Sequence, residues 1–426
     1  MPPKDLVQSM DKQLQEKLTK KRWAVLAASC FINLCIGSLY AWSVFAAPMA
    51  EHLNMVNGTS LTAADLAIVF TVANSVGPIT LISGGYINDR VGPKWVIFAG
   101  GLLFGAGMIV SSVAGGIPML IMGYGLGCGL GMGLVYGCTI SNSVKFFPDK
   151  RGLIGGIATA SYGISSVLIP PVANALIGSE GVLYAFKILG IAFIVIICGG
   201  AFFIEKCPEG FVPDGFNAGE AIGNEDGKKI VDKNWKQMLK DPVFYVMICM
   251  LTCGAVFGLM TISQVSPIAQ NMIGMPVAAA TAAVSVLALF NAVGRVAAGY
   301  VSDIIGRIYT LMIMLLLAIF GLLLLFNAGE GDIVKFYIGI SVAGLCFGAF
   351  MGVFPGFTAD QFGQKNNSVN YGIMFIGFAL AGYLGPTLMS LVYGRTGGYN
   401  MAFIIAIGLA AIGMILSFVY RKLVRY

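Results

Sequence analysis

The chain has 426 residues, of which 57% are hydrophobic and only 11% are charged, with 57 glycines. Soluble proteins of ordinary composition carry about 25% charged residues, so a soluble enzyme or binding domain is excluded. The net charge of +6 is no sign of nucleic-acid binding; it follows from where the lysines and arginines sit between apolar runs. Tyr and Trp do not fall in short alternating strands, which argues against a β-barrel.

The chain reads as an all-α polytopic membrane protein with twelve transmembrane helices. The expected spans are 23–47, 63–87, 94–114, 117–143, 152–177, 183–204, 242–270, 277–304, 308–327, 333–358, 369–393 and 398–420. Residues 1–22 form a basic, amphipathic N-terminal tail. No cleavable signal peptide is expected, because the first apolar run is long enough to span. Most connections are short. One is not: residues 205–241 run from a Pro/Gly-rich stretch into mixed charge and read as a linker. It divides a six-helix half, 23–204, from a second, 242–420, and 421–426 forms a C-terminal tail.

Charge sets the orientation. All of the 26 Lys and Arg except Lys187, Arg295, Lys335 and Arg395 fall in the tails and in the connections on one side. By the positive-inside rule both termini are cytoplasmic, in an inner or plasma membrane. The halves are also copies. Gly85-Tyr86-Ile87-Asn88-Asp89-Arg90-Val91-Gly92 follows the second span, and Gly299-Tyr300-Val301-Ser302-Asp303-Ile304-Ile305-Gly306-Arg307 follows the eighth, 214 residues on (Asp89 to Asp303). Such a repeat implies two pseudo-symmetric six-helix halves.

Little in the sequence suggests cofactor or metal chemistry. Eight of the nine cysteines lie in apolar runs, only Cys207 is in a loop, and the sole histidine, His52, is elsewhere. The glycine-rich run from Gly123 to Gly133 lacks a preceding strand and a following Gly-Lys-Ser/Thr, so it reads as helix packing and not as a phosphate loop. No cofactor and no metal are expected.

One residue breaks the apolar pattern. Arg295 lies well inside the eighth span, where a cation costs at least roughly 2.5–3.5 kcal/mol. No span interior holds an acid: Asp65 opens the second span, Asp89 and Asp303 close helices, and Asp360 ends the tenth. A structural ion pair therefore has no acceptor. Arg295 is expected to bind an anion, since a planar, permanently charged guanidinium holds a carboxylate bidentately. Asn291, one turn earlier on the same face, orients it or contacts the substrate.

The two G-Y-x-x-D-x-x-G segments resemble the loop between the second and third helices of the major facilitator superfamily and its copy in the second half. That resemblance implies the major facilitator fold and alternating access, with Asp89, Arg90, Lys94, Asp303 and Arg307 as gating residues. Within the superfamily the chain is similar to the oxalate/formate antiporters and the related monocarboxylate transporters. The similarity rests on Gly37-Ser38-Leu39-Tyr40-Ala41-Trp42-Ser43, Phe146-Phe147-Pro148-Asp149-Lys150-Arg151-Gly152, Phe290-Asn291-Ala292-Val293-Gly294-Arg295, Val353-Phe354-Pro355 and Asn370-Tyr371-Gly372. It implies a central cavity for small carboxylates lined by Tyr40 and Tyr136, with Tyr383, Phe347 and Phe378 nearby.

Departures from the family pattern narrow the cargo. Where oxalate transporters of this family carry a lysine in the eleventh span, this chain has Phe378. Their glutamine before the first-span tyrosine is Leu39, and their tenth-span aromatic is Met351. One lost charge contact near 4 Å is worth roughly 4 kcal/mol before desolvation, at an effective dielectric of about 20. The expected substrate is thus a small monocarboxylate of the lactate, pyruvate or formate type, with Leu39, Met351 and Phe378 as an apolar wall. Transport is by exchange or linked to protons, in a monomer embedded in the bilayer. A dicarboxylate antiporter of the oxalate/formate type is the same-fold alternative, and a non-transporting membrane sensor is the alternative of another class.

Overall fold

A computed structural model describes residues 4–63, 65–214, 216 and 232–425, with side chains from Gln15 onward except those of Ala278 and Arg425. The mixed-charge part of the linker, 217–231, falls outside the described residues. Twelve helices are long and apolar enough to cross a membrane: α1 Gln15–Asn57, α2 Ala67–Val91, α3 Pro93–Ser111, α4 Ile117–Phe146, α5 Arg151–Glu180, α6 Val182–Ala201, α7 Pro242–Asn271, α8 Ala279–Ile305, α9 Arg307–Phe326, α10 Ile333–Phe362, α11 Asn367–Thr396 and α12 Asn400–Val424. They correspond one for one to the expected spans. Among the described residues there is no strand. One buried core runs through α1 to α6 and a second through α7 to α12.

The helices overrun the apolar runs, because polar residues at a helix end continue the hydrogen-bond ladder into water. The clearest case is the N-terminal tail. Helix begins at Lys4 and runs without a break into the first span. Gln15 Nε2 donates to the Val212 carbonyl, the Asp214 N–H donates to Thr19 Oγ1, and Lys21 pairs with Glu205. This extension of α1 is therefore docked on the start of the linker. The N-terminal part of α1, the C-terminal end of α12 and the described parts of the linker lie at one end of the bundle, called here the linker face.

Proline and glycine set the irregular points. Pro93 and Pro242 open α3 and α7, where a missing N–H costs nothing. Gly92 and Gly306, the last glycines of the repeated motif, hold φ of +106° and +95° at the sharp turns into α3 and α9. In α1 the ladder tightens into a 3-10 turn at Gly37–Ala41. The Leu39 carbonyl accepts the Trp42 N–H, and Tyr124 Oη adds a second bond to it at 3.0 Å. α11 is interrupted at Phe375, between Asn367–Met374 and Ile376–Thr396.

Small residues then let backbones touch. In the glycine-rich run of α4, Gly123, Gly127 and Gly131 meet α3 at Gly107 and Gly100, while Gly129 and Gly133 meet α2 at Ala73 and Gly77. On α10, Gly344, Gly348 and Gly352 step along α8, and a Cβ on each would lie under 3.0 Å from the carbonyl of Leu287, Asn291 and Arg295 in turn. This ladder presses the α8 backbone onto α10 and fixes where Arg295 stands.

Candidate functional site

Arg295 is 4% exposed and sits where α8 crosses α5 of the other half. Its backbone carbonyl is so near Gly156 that a Cβ there would fall under 3.0 Å from it, and its guanidinium packs on Gly163. Nε–H donates to Asn291 Oδ1 at 3.1 Å, and Nη1–H donates across the halves to the Thr159 carbonyl at 2.8 Å. Of its five N–H donors, these bonds take two. The Tyr136 hydroxyl also interacts with Arg295 and with the Tyr371 hydroxyl. No carboxylate pairs with Arg295 among the described residues. With Asn291, Thr159 and Tyr136 as partners, the guanidinium still has N–H donors over. Asn291, for which two roles are expected from the sequence, is placed to orient the arginine.

An aromatic chain surrounds this charge and crosses between the halves. Tyr40 packs on Tyr162 with ring centroids 5.3 Å apart, and Tyr162 packs on Tyr136 at 4.8 Å. Tyr136 meets Phe375 at 5.5 Å, Phe375 stacks on Phe378 at 4.6 Å, and Phe378 lies 6.4 Å from Phe347. The rings of Tyr40, Tyr136, Phe378 and Phe347 therefore belong to one chain of contacts. Tyr162, Tyr371, Phe375 and Thr159 join them and were not anticipated. The repeat could have exposed Tyr162: α5 and α11 match at an offset of 216, which pairs Gly152 with Ser368 and Tyr162 with Phe378.

Three further residues expected at the cavity take no part in this aromatic chain. Leu39 is fully buried in the core of the first half. Met351 is buried in the core of the second. Tyr383 is 71% exposed; five residues beyond Phe378, it has turned well over 100° around the helix.

The linker face carries the other polar cluster. Asp303 accepts the N–H of Gly152 and of Leu153, each at 2.8 Å, at the N-terminus of α5 across the halves. Asp89 does the same for α11, accepting the N–H of Ser368 at 3.4 Å and of Val369 at 3.1 Å. Carboxylates suit helix N-termini, whose first N–H groups lack partners and carry partial positive charge. Arg307 holds Asp303 at 2.6 Å and Asp360 at 2.8 Å, and Arg151 crosses from α5 to Asp360. Asn88 Nδ2 donates to Ser368 Oγ at 2.6 Å, and Ser368 Oγ to Ser141 Oγ at 2.8 Å.

Two residues expected in that cluster lie outside it. The cation on Asp89 is Lys145, at 2.6 Å, and not Arg90 or Lys94. Arg90 lies 4.0 Å over the Tyr86 ring, and Lys94 lies 4.5 Å from the Phe202 ring. The turn at Gly92 points them outward, away from the groove between the halves. Lys145, at the end of α4, carried no local signal. Nearby, in the linker, burial pushes the Cys207 thiol up to about 12, which keeps it protonated and unreactive.

Every hydrogen bond between the halves among the described residues lies at Arg295 or between it and the linker face. The profile of the Major Facilitator Superfamily matches residues 26–334 and 274–425. The chain belongs to the Major Facilitator Superfamily. It is 29% identical to the oxalate:formate antiporter of Oxalobacter formigenes over 399 residues, covering 91% of this chain and 88% of that one. It is 22% identical to monocarboxylate transporter 13 of Rattus norvegicus, covering 90% of this chain and 85% of that one. Among solved structures, the superfamily transporter FucP in its outward conformation superposes with a TM-score of 0.70, at 14% identity, over 93% of this chain and 98% of that one. The chain is a multi-pass transporter of this superfamily.

Proposed function

We propose that this transporter carries small monocarboxylate anions, of the lactate, pyruvate or formate type, by alternating access. The observation that carries the reading is Arg295: buried, fixed by Asn291 and the Thr159 carbonyl, unpaired with any acid, and faced by aromatic rings. A carboxylate on the remaining N–H donors of Arg295 makes charge-assisted bonds, each worth roughly 1.5–3 kcal/mol, and Tyr136 supplies a further donor. The stacked Phe375 and Phe378 offer carbon, not a second charge, to the rest of the molecule. The relatives named for anions of this kind support the same class.

With the linker face cytoplasmic, as the distribution of basic residues indicates, the cytoplasmic side is closed by Asp89 and Asp303. The site is then reached from the opposite side. Closure there would require the anion, because it neutralises Arg295, which among the described residues has no carboxylate partner; reopening on the cytoplasmic side requires both aspartates to leave their helix N-termini.

Uptake of radiolabelled lactate, formate and oxalate into proteoliposomes tests the reading. Lactate or formate uptake should be saturable and lost in Arg295→Gln. Saturable oxalate uptake without monocarboxylate uptake overturns it in favour of a dicarboxylate carrier.

A further inference from the structure

The cations freed from the gate define a second surface. Arg90 is exposed above Tyr86. Lys94 Nζ stands 4.5 Å from the Phe202 ring and 5.8 Å from that of Trp95. Lys206, just after α6, lays its stem against Gly92 and donates from Nζ to the Arg90 carbonyl at 2.9 Å. The three cations therefore flank one turn. Among the described residues none of them has a carboxylate partner. Around them stand bare rings: Trp95 at 59% exposed, with Tyr86, Phe202 and Phe203 also exposed. These residues lie at the ends of α2, α3 and α6, where the spans leave the apolar layer.

Unpaired cations would suit any anion. The exposed rings beside them would not suit a soluble one, since a solute gives an indole and two phenyl rings nothing to cover them. A molecule that is anionic at its head and apolar behind it satisfies both halves of the surface. We propose that this edge of α2, α3 and α6 binds an anionic phospholipid, with its phosphate among Arg90, Lys94 and Lys206 and its chains on Trp95, Phe202 and Phe203. The site has a mechanical consequence. Asp89, which caps α11 across the halves, is the residue before Arg90, so a lipid held here steadies the turn that carries one of the two closing carboxylates.

Trp95 supplies the probe. The purified full-length protein in phosphatidylcholine vesicles is titrated with dibrominated phosphatidylglycerol or dibrominated phosphatidylcholine, and Trp95→Phe identifies the quenching due to that indole. Trp95 quenching should reach half-maximum at a mole fraction at least about five-fold lower for the anionic lipid, given roughly five-fold per basic residue near an anionic surface. Arg90→Gln/Lys94→Gln/Lys206→Gln should abolish the preference, and Lys236→Gln/Arg421→Gln/Lys422→Gln, which removes as much charge from the same face, should retain it. Millimolar inorganic phosphate should not compete. Equal quenching by both lipids, a preference that survives the first triple variant, an equal loss in the second, or displacement by phosphate each overturns the proposal. If the first triple variant does not fold, Arg90→Gln alone carries the comparison, with an expected loss of about five-fold.

Discussion

Substituting Asp303 by Asn tests how the linker face is held shut. In α5 the first intrahelical donor is the N–H of Ile154, which bonds to the Lys150 carbonyl. The N–H groups of Gly152 and Leu153 thus depend on the two oxygens of Asp303, each at 2.8 Å. Asparagine keeps one acceptor oxygen and loses the charge. One buried N–H is left unpaired, at roughly 1–3 kcal/mol, and the surviving bond falls from charge-assisted to neutral, at roughly 1 kcal/mol. The charge at the helix N-terminus contributes roughly 0.3–1 kcal/mol more. A total near 3 kcal/mol moves the closed-to-open ratio by about two orders of magnitude. Hydrogen–deuterium exchange reads this directly: uptake in a peptide covering Phe147 to Gly156 should rise steeply in Asp303→Asn. Asp89→Asn should act instead on Gln364 to Tyr371, and less strongly, because its bonds to Ser368 and Val369 are longer at 3.4 and 3.1 Å. Unchanged exchange at Gly152 and Leu153 in Asp303→Asn, or an equal rise at both sites in either variant, would refute the reasoning.

Other outcomes follow from the same geometry. Arg295→Gln should lower monocarboxylate transport at least about 100-fold, since an unpaired buried carboxylate costs roughly 3–5 kcal/mol, while its thermal midpoint stays within a few degrees because removing a buried cation offsets two lost hydrogen bonds; initial uptake rates and a melting scan check both. Phe378→Lys should move substrate preference toward dicarboxylates, as a competition panel against labelled lactate would show, and an unchanged profile counts against limiting the cargo by its charge. Gly156→Ala places a Cβ under 3.0 Å from the Arg295 carbonyl; overpacking of roughly 1–3 kcal/mol should raise exchange at both Gly152 and Ser368. Tyr124→Phe removes one of the two bonds to the Leu39 carbonyl, which keeps the Trp42 N–H, and should cost about 1 kcal/mol of stability, read as a lower melting temperature.

Much of the architecture was legible because its physics is local. Apolar runs fix the spans, and the repeated Asp89 and Asp303 motif fixes the two halves. Arg295 stood out because a cation in an apolar run has a known cost. What the sequence hid was contact across the halves. Tyr162 and Phe375 lie in runs as apolar as any other, and only the meeting of α5, α4 and α11 puts them beside the arginine. Arg90 and Lys94 were assigned to the gate by nearness in sequence to Asp89, yet the turn at Gly92 turns them outward and Lys145, 56 residues away, takes the place. Tyr383 shows the limit of nearness along one helix, since the five residues that separate it from Phe378 carry it to a different face.

The aspartates of the linker face bind main chain, and this affects what sequence change can reach. An ion pair can be lost through either partner. Here the donors at Gly152, Leu153, Ser368 and Val369 are backbone N–H groups, which every residue except proline supplies. Drift at Leu153 or Val369 therefore leaves the donor side intact, and the vulnerable positions reduce to two carboxylates and to the glycines that let the chains meet, Gly152 against Gly299 and Gly85 against Ser368. Proline scanning of the first turns of α5 and α11 would find positions where nineteen side chains are tolerated by the closing bond and one is not.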